Sequence, residues 1–149
     1  MGLFTKKPLP TIFSQLNFDL KQFPDDSFIL NEEESNDDVK VYYKLFPEKI
    51  QLGFVDKIEV MCFTKSPTKN YVLRCVDTSA LYQRDLIIFF NKFANIYGKD
   101  DYGKSKYDSK DARSLNIGIQ ISRRWSKKTP ETFSIDYDDI DGLCLTIWG

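Results

Sequence analysis

Residues 77–98 read DTSALYQRDLIIFFNKFANIYG, and this stretch decides the fold. Asp77, Thr78 and Ser79 are of the types that cap a helix N-terminus, and Gly98 stands where a glycine ends one. At 100° per residue, Tyr82, Leu86, Ile87, Phe89, Phe90, Phe93, Ala94, Ile96 and Tyr97 fill one half of the wheel. Arg84, Asp85, Asn91, Lys92 and Asn95 fill the other. The spacing predicts one long amphipathic helix, Ser79 to Tyr97, whose broad apolar face needs a sheet to lie on. Leu81 and Ile88, seven apart, break the pattern by falling on the polar face. Exposed aliphatics at helical spacing can seed an interface, so Leu81 and Ile88, with Arg84 and Asn91 beside them, are candidate partner-binding residues. The competing explanation is incidental exposure, or contact with the N-terminal arm.

Strands flank this helix on both sides. Upstream, Val39, Val41, Tyr43 and Leu45 alternate with Lys40, Tyr42 and Lys44, the period of a half-buried strand, which Pro47 is expected to end. Ile50, Leu52 and Phe54 alternate again. Residues 58–64 (IEVMCFT) and 71–76 (YVLRCV) are joined by KSPTKN, where Pro67 and Asn70 mark the turn of a hairpin. Downstream, residues 99–114 (KDDYGKSKYDSKDARS) are polar throughout and predict a long loop, mobile or functional. Leu115, Ile117, Ile119 and Ile121 then predict a strand, followed by Phe133, Ile135 and Tyr137, and by Leu143, Leu145 and Ile147 after an Asp141-Gly142 turn. The expected class is α+β: a mostly antiparallel sheet of six to seven strands, in strands-helix-strands order, with one long amphipathic helix packed on one face.

Residues 1–149 suit a single globular domain. Residues 1–10 read as a flexible N-terminal arm, since Pro8 and Pro10 block a helix. Residues 11–30 carry apolar anchors (Ile12, Phe13, Leu16, Phe18, Leu20, Phe23, Phe28, Leu30) whose conformation the pattern leaves open, and the acidic run 31–38 reads as a loop. No apolar run approaches the length of a membrane span, and no export signal is evident. A cytoplasmic location and, given the compactness, a bacterial source are the expectation.

The net charge of −1 weighs against non-specific nucleic-acid binding by the chain as a whole. The charge is uneven: residues 99–128 carry nine Lys/Arg against four Asp, and residues 129–149 carry five acidic side chains and no basic one. This suits either a solvated surface or a charge-matched docking face for a partner or a second copy.

Gly98 to Ser105 (GKDDYGKS) matches G-x(4)-G-K-[ST], the pattern of a phosphate loop. That motif needs a strand before it and a helix after it. Here it follows a helix C-terminus, whose dipole repels phosphate, and Asp100 and Asp101 add negative charge, so the match reads as a helix stop and a polar loop. Asp136, Asp138, Asp139 and Asp141 do not meet a Ca²⁺-loop pattern, because Ile140 and Ile147 occupy ligand positions. Arg123, Arg124, Trp125, Lys127 and Lys128 place an indole among cations, a combination that can stack a base or simply brace a sheet edge.

The chain has no His, so the commonest general base and metal ligand is missing. Cys62, Cys75 and Cys144 lie in apolar strand patterns without metal spacing, as buried inert thiols do. No catalytic constellation, metal site or cofactor motif emerges. The leading expectation is a non-enzymatic protein–protein interaction module (adaptor, immunity-like or self-associating), with a protein partner or a homodimer. The alternative is a small-ligand binder with an aromatic-lined helix–sheet cleft, walled by Phe89, Phe90, Phe93 and Tyr97. Nucleotide or nucleic-acid binding through residues 98–128 ranks third.

Overall fold

The computed structural model describes residues 9–16, 18–50, 54–79 and 82–149, the side chains of 47–50 apart. The expected arm, residues 1–10, therefore lies almost wholly outside the described residues. Seven strands form one antiparallel sheet: β1 (Ile29–Leu30), β2 (Val39–Ile50), β3 (Val55–Phe63), β4 (Lys69–Cys75), β5 (Ile121–Trp125), β6 (Thr132–Asp138) and β7 (Gly142–Trp148). Their spatial order is β1-β2-β3-β4-β7-β6-β5. Between β4 and β5 lie α1 (Gln83–Tyr97) and a short α2 (Ser109–Asn116). The α+β class and the strands-helix-strands order are those read from the sequence.

Strand alternation assigns each side chain to a face. One continuous row runs Tyr42, Val60, Tyr71, Ile147, Phe133, Trp125, and the next runs Lys44, Ile58, Leu73, Leu145, Ile135, Arg123. The apolar members of these rows on β3 to β7 are buried in a single core. Both helices lie on this inner face. Phe93 and Tyr97 of α1 meet Phe133 at 6.0 and 5.0 Å between ring centroids, and Tyr97 meets Trp125 at 6.2 Å. The anchors of residues 11–30 resolve into two 3₁₀ turns, Ile12–Gln15 and Leu20–Gln22, which pack on the same face. Phe13 stands edge-on to Tyr71, and Lys69 donates to the Phe23 carbonyl at 2.9 Å.

Four local expectations are corrected. α1 begins at Gln83 rather than Ser79: the Asp77 carboxylate is engaged by Ser79 in a local turn, while Asp85 accepts the Tyr82 N–H at 2.9 Å and so starts the helix later. β2 passes through Pro47 to Ile50, with its register against β3 broken between Leu45 and Ile50. Residues 109–116 form a helix where a loop is expected, because the Asp108 carboxylate accepts the Lys110 and Asp111 N–H groups and Asp111 returns the favour to the Asp108 N–H. The strand expected from Leu115 starts only at Ile121, and Ile117 and Ile119 are exposed. The Asp141-Gly142 turn is present: Gly142 has φ +75°, and a Cβ there would collide with the Cys75 carbonyl.

Phe93 is fully buried among Phe89, Tyr97 and Phe133. Phe93→Ala should lower unfolding free energy by about 3–5 kcal/mol in urea titrations, whereas Ile88→Ala on the outer side of the same helix should stay within roughly 0.5 kcal/mol.

Candidate functional site

The segment from Gly98 to Asn116 is held against β5 by buried ionic groups. Asp100 is buried; its carboxylate accepts the N–H groups of Tyr102 (3.0 Å), Lys104 (2.7 Å) and Arg124 (3.0 Å). Asp101 accepts the Ser126 N–H (3.1 Å) and hydroxyl (2.6 Å), and its own N–H donates to the Arg124 carbonyl at 2.7 Å. β5 is an edge strand, and these bonds occupy the outward N–H and carbonyl of Arg124, which would otherwise help template another strand.

Arg123 stands in the inner, apolar row of the sheet and is 1% exposed. Its Nε donates to the Ser105 carbonyl at 2.8 Å. Nη1 donates to Asp111 Oδ1 (3.2 Å) and the Ser122 carbonyl (2.9 Å), and Nη2 to Asp111 Oδ2 (2.6 Å) and the Lys106 carbonyl (3.2 Å). These bonds match all five guanidinium N–H donors. The guanidinium also lies 5.4 Å from the centroid of the Phe90 ring.

Thus fastened, the segment encloses a cleft of about 650 Å³ with α2 on one side and Ile121 at its base. Gly103, Lys104, Ser105, Lys106, Lys110 and Ser114 are among its lining residues. The GKS tripeptide of the phosphate-loop match is therefore on this wall, although its context remains helix C-terminus before and three residues of chain before the next helix.

A second surface is the outer face of the sheet, over which no described helix lies. Its rows are Lys57, Arg74, Cys144, Asp136, Ser122; Tyr43, Glu59, Val72, Thr146, Ser134, Arg124; and Val41, Met61, Asn70, Trp148, Thr132. Arg74 bonds Glu59 at 2.7 Å and the Cys144 sulfur at 3.0 Å, and Lys57 lies 3.4 Å from Glu59. Lys57 sits over the Tyr43 ring and Arg124 over Trp148, each at 5.3 Å. Burial holds the Asp136 carboxyl above its ordinary value, against the opposing Ser134 hydroxyl.

The residues singled out from the sequence are dispersed. Leu81 lies outside the described residues. Ile88 is 63% exposed, Arg84 is exposed with its guanidinium over the Tyr82 ring, and the Asn91 carbonyl oxygen accepts the Tyr107 N–H at 2.9 Å. Asn91 therefore tethers the 98–108 segment to α1 rather than facing outward for a partner. Arg123 and Trp125 point into the core, while Arg124, Lys127 and Lys128 are exposed. An indole 1% exposed, donating to the Gly98 carbonyl, has no face for a base. Phe89, Phe90, Phe93 and Tyr97 are core: the space beside Phe89, between helix and sheet, is about 10 Å³, room for one water at most. Arg123, Asp111 and Asp100, the residues that shape the cleft, are functional candidates the pattern reading missed or misplaced. Two signals were available: Arg123 falls at an inward position between Ile121 and Trp125, and Asp108 precedes Asp111 at capping-box spacing.

Among the described residues, no group of three or more His, Cys, Asp or Glu could hold a metal ion. Burial pushes the Cys144 thiol up to about 11, and the Tyr97 hydroxyl up to about 12, the Glu131 carboxylate adding to the latter. Tyr97 donates to the Pro10 carbonyl at 2.8 Å.

Two predictions follow from these ionic groups. Arg123→Ala or Asp111→Ala strands a buried charge and should cost about 3–5 kcal/mol in denaturant unfolding, whereas Arg123→Met with Asp111→Leu should recover most of it. In the unfolded chain Cys144 and Tyr97 ionise near their ordinary values of 9.0 and 10.0, while the folded protein retains those protons. Unfolding then releases protons, so stability is full below pH 9 and falls progressively towards pH 12. Thermal midpoints should drop across that window, and less steeply in Cys144→Ala/Tyr97→Phe. No family model, curated protein or solved structure matches this chain.

Proposed function

We propose that this chain is a non-enzymatic interaction module that self-associates through the outer face of its sheet. The observation that supports it is the composition of that face, over which no described helix lies. Tyr43, Met61, Trp148, Arg74 and Arg124 are the residue types enriched at interfaces, standing where a solvated sheet usually carries short polar side chains. Sheet-on-sheet packing is the ordinary way to cover such a face.

Charge favours a second copy. The acidic run 31–38 joins β1 to β2 at one edge of the sheet, and the exposed, basic Arg124 stands on the outer face at the β5 edge. A two-fold axis parallel to the strands stacks the outer faces and sets each acidic edge against the partner's basic edge. Seven strands, most of them five to nine residues long, span roughly 30 by 20 Å. That gives about 1,200 Å² buried over both copies, the lower bound of specific interfaces. No described helix is long and apolar enough to cross a membrane.

Light scattering across a concentration series tests the reading. Wild type should dimerise at concentrations below roughly 100 µM, and more weakly as salt rises. Tyr43→Glu/Trp148→Glu should be a folded monomer, and Ile88→Asp should remain dimeric. A monomeric wild type, or a dimer broken by Ile88→Asp alone, overturns the outer-face reading; the latter result would move the interface to α1.

A further inference from the structure

We infer that the cleft between the 102–106 segment and α2 binds a small molecule bearing two or more phosphate charges. Lys104, Lys106 and Lys110 line it, and none of their ammonium groups has an ion-pair or hydrogen-bond partner among the described residues. Two carboxylates also line the cleft, and both are engaged: Asp111 by Arg123, and Asp108 by the first N–H groups of α2. Asp100 and Asp101, which in the sequence count against phosphate, are turned to the backbone of β5 and do not line the cleft. The lining thus presents three unpaired cations against one carboxylate without a counter-ion.

The mode differs from that of a phosphate loop. The N-terminus of α2 is already capped by Asp108, so the anion is held by side chains: three ammonium groups, with the hydroxyls of Ser105 and Ser114 as further donors. The volume, about 650 Å³, is in the range of small-molecule sites. Tyr102 stands at the rim, 68% exposed, where its ring can stack on an organic group attached to the phosphates. A small ligand is favoured over a nucleic-acid strand because the two arginines of β5 do not extend the cleft as a groove: Arg124 is on the outer face of the sheet, and Arg123 is buried.

The cleft lies on the side of the sheet opposite the proposed dimer face, so the two can be tested apart. The full chain is titrated with inorganic pyrophosphate by calorimetry at low salt, with sulfate as the comparison anion and amide shifts of Gly103, Ser105 and Ser114 followed by NMR. One-to-one binding is expected, tighter for pyrophosphate than for sulfate, with shifts at those amides. Lys104→Ala/Lys106→Ala/Lys110→Ala, all at exposed positions, should weaken it at least about tenfold, and Lys127→Ala/Lys128→Ala should leave it unchanged. Absence of binding, or equal loss in both variants, overturns the inference. Tighter binding of a single-stranded oligonucleotide through the same lysines overturns it in favour of a nucleic-acid site.

Discussion

All five N–H donors of Arg123 end on oxygens, two on Asp111 and three on the carbonyls of Ser105, Lys106 and Ser122. This buried cluster is the constraint on which the arrangement around β5 depends. Taking a guanidinium and a carboxylate out of water is costly, and an apolar pair of like volume often does as well or better for stability. What the ion pair adds is definition. Five directional bonds admit one position for the 105–106 backbone and one orientation for α2, where leucines would admit several.

The consequences reach both candidate surfaces. With Arg123 and Asp100 anchoring it, the 98–108 segment closes the free edge of β5 and becomes the wall of a cleft. The acidic side chains that fasten it turn inward, and the lysines between them are left facing solvent. A segment of mixed charge in the sequence is thereby sorted in space into an anionic fastening and a cationic lining. On the far side, because both helices and the described 3₁₀ turns crowd onto one face, no described helix lies over the opposite face of the sheet.

Much of the architecture was legible in periodicity. The 3.6-residue pattern through Phe89, Phe90, Phe93 and Tyr97 located α1, alternation located β2, β6 and β7, and two β-rich runs joined by a turn located β3 and β4. Three places resisted. Ile117 and Ile119 alternate as strand residues do, yet they sit in the exposed connection after α2, because the capping aspartates commit the preceding residues to a helix. Asn91 reads as a polar surface residue and instead tethers the Tyr107 backbone. Arg123 reads as one cation in a basic run, because single-sequence pattern weighs side-chain type and not the row that strand pairing assigns it.

The sequence by itself determined the class, the amphipathic helix and the inner rows of the core, since each follows from where apolar side chains recur along a chain of fixed period. The tertiary structure alone decided which charges are buried, on which face of the sheet the described helices pack, and that Lys104, Lys106 and Lys110 share a cleft. Burial of an ion depends on partners brought together from distant segments: Asp111 on α2, the carbonyls of 105 and 106, and Phe90 on α1 meet Arg123 only once the sheet has set its register. Local periodicity carries no term for that encounter, so the site appears only when the chain has folded.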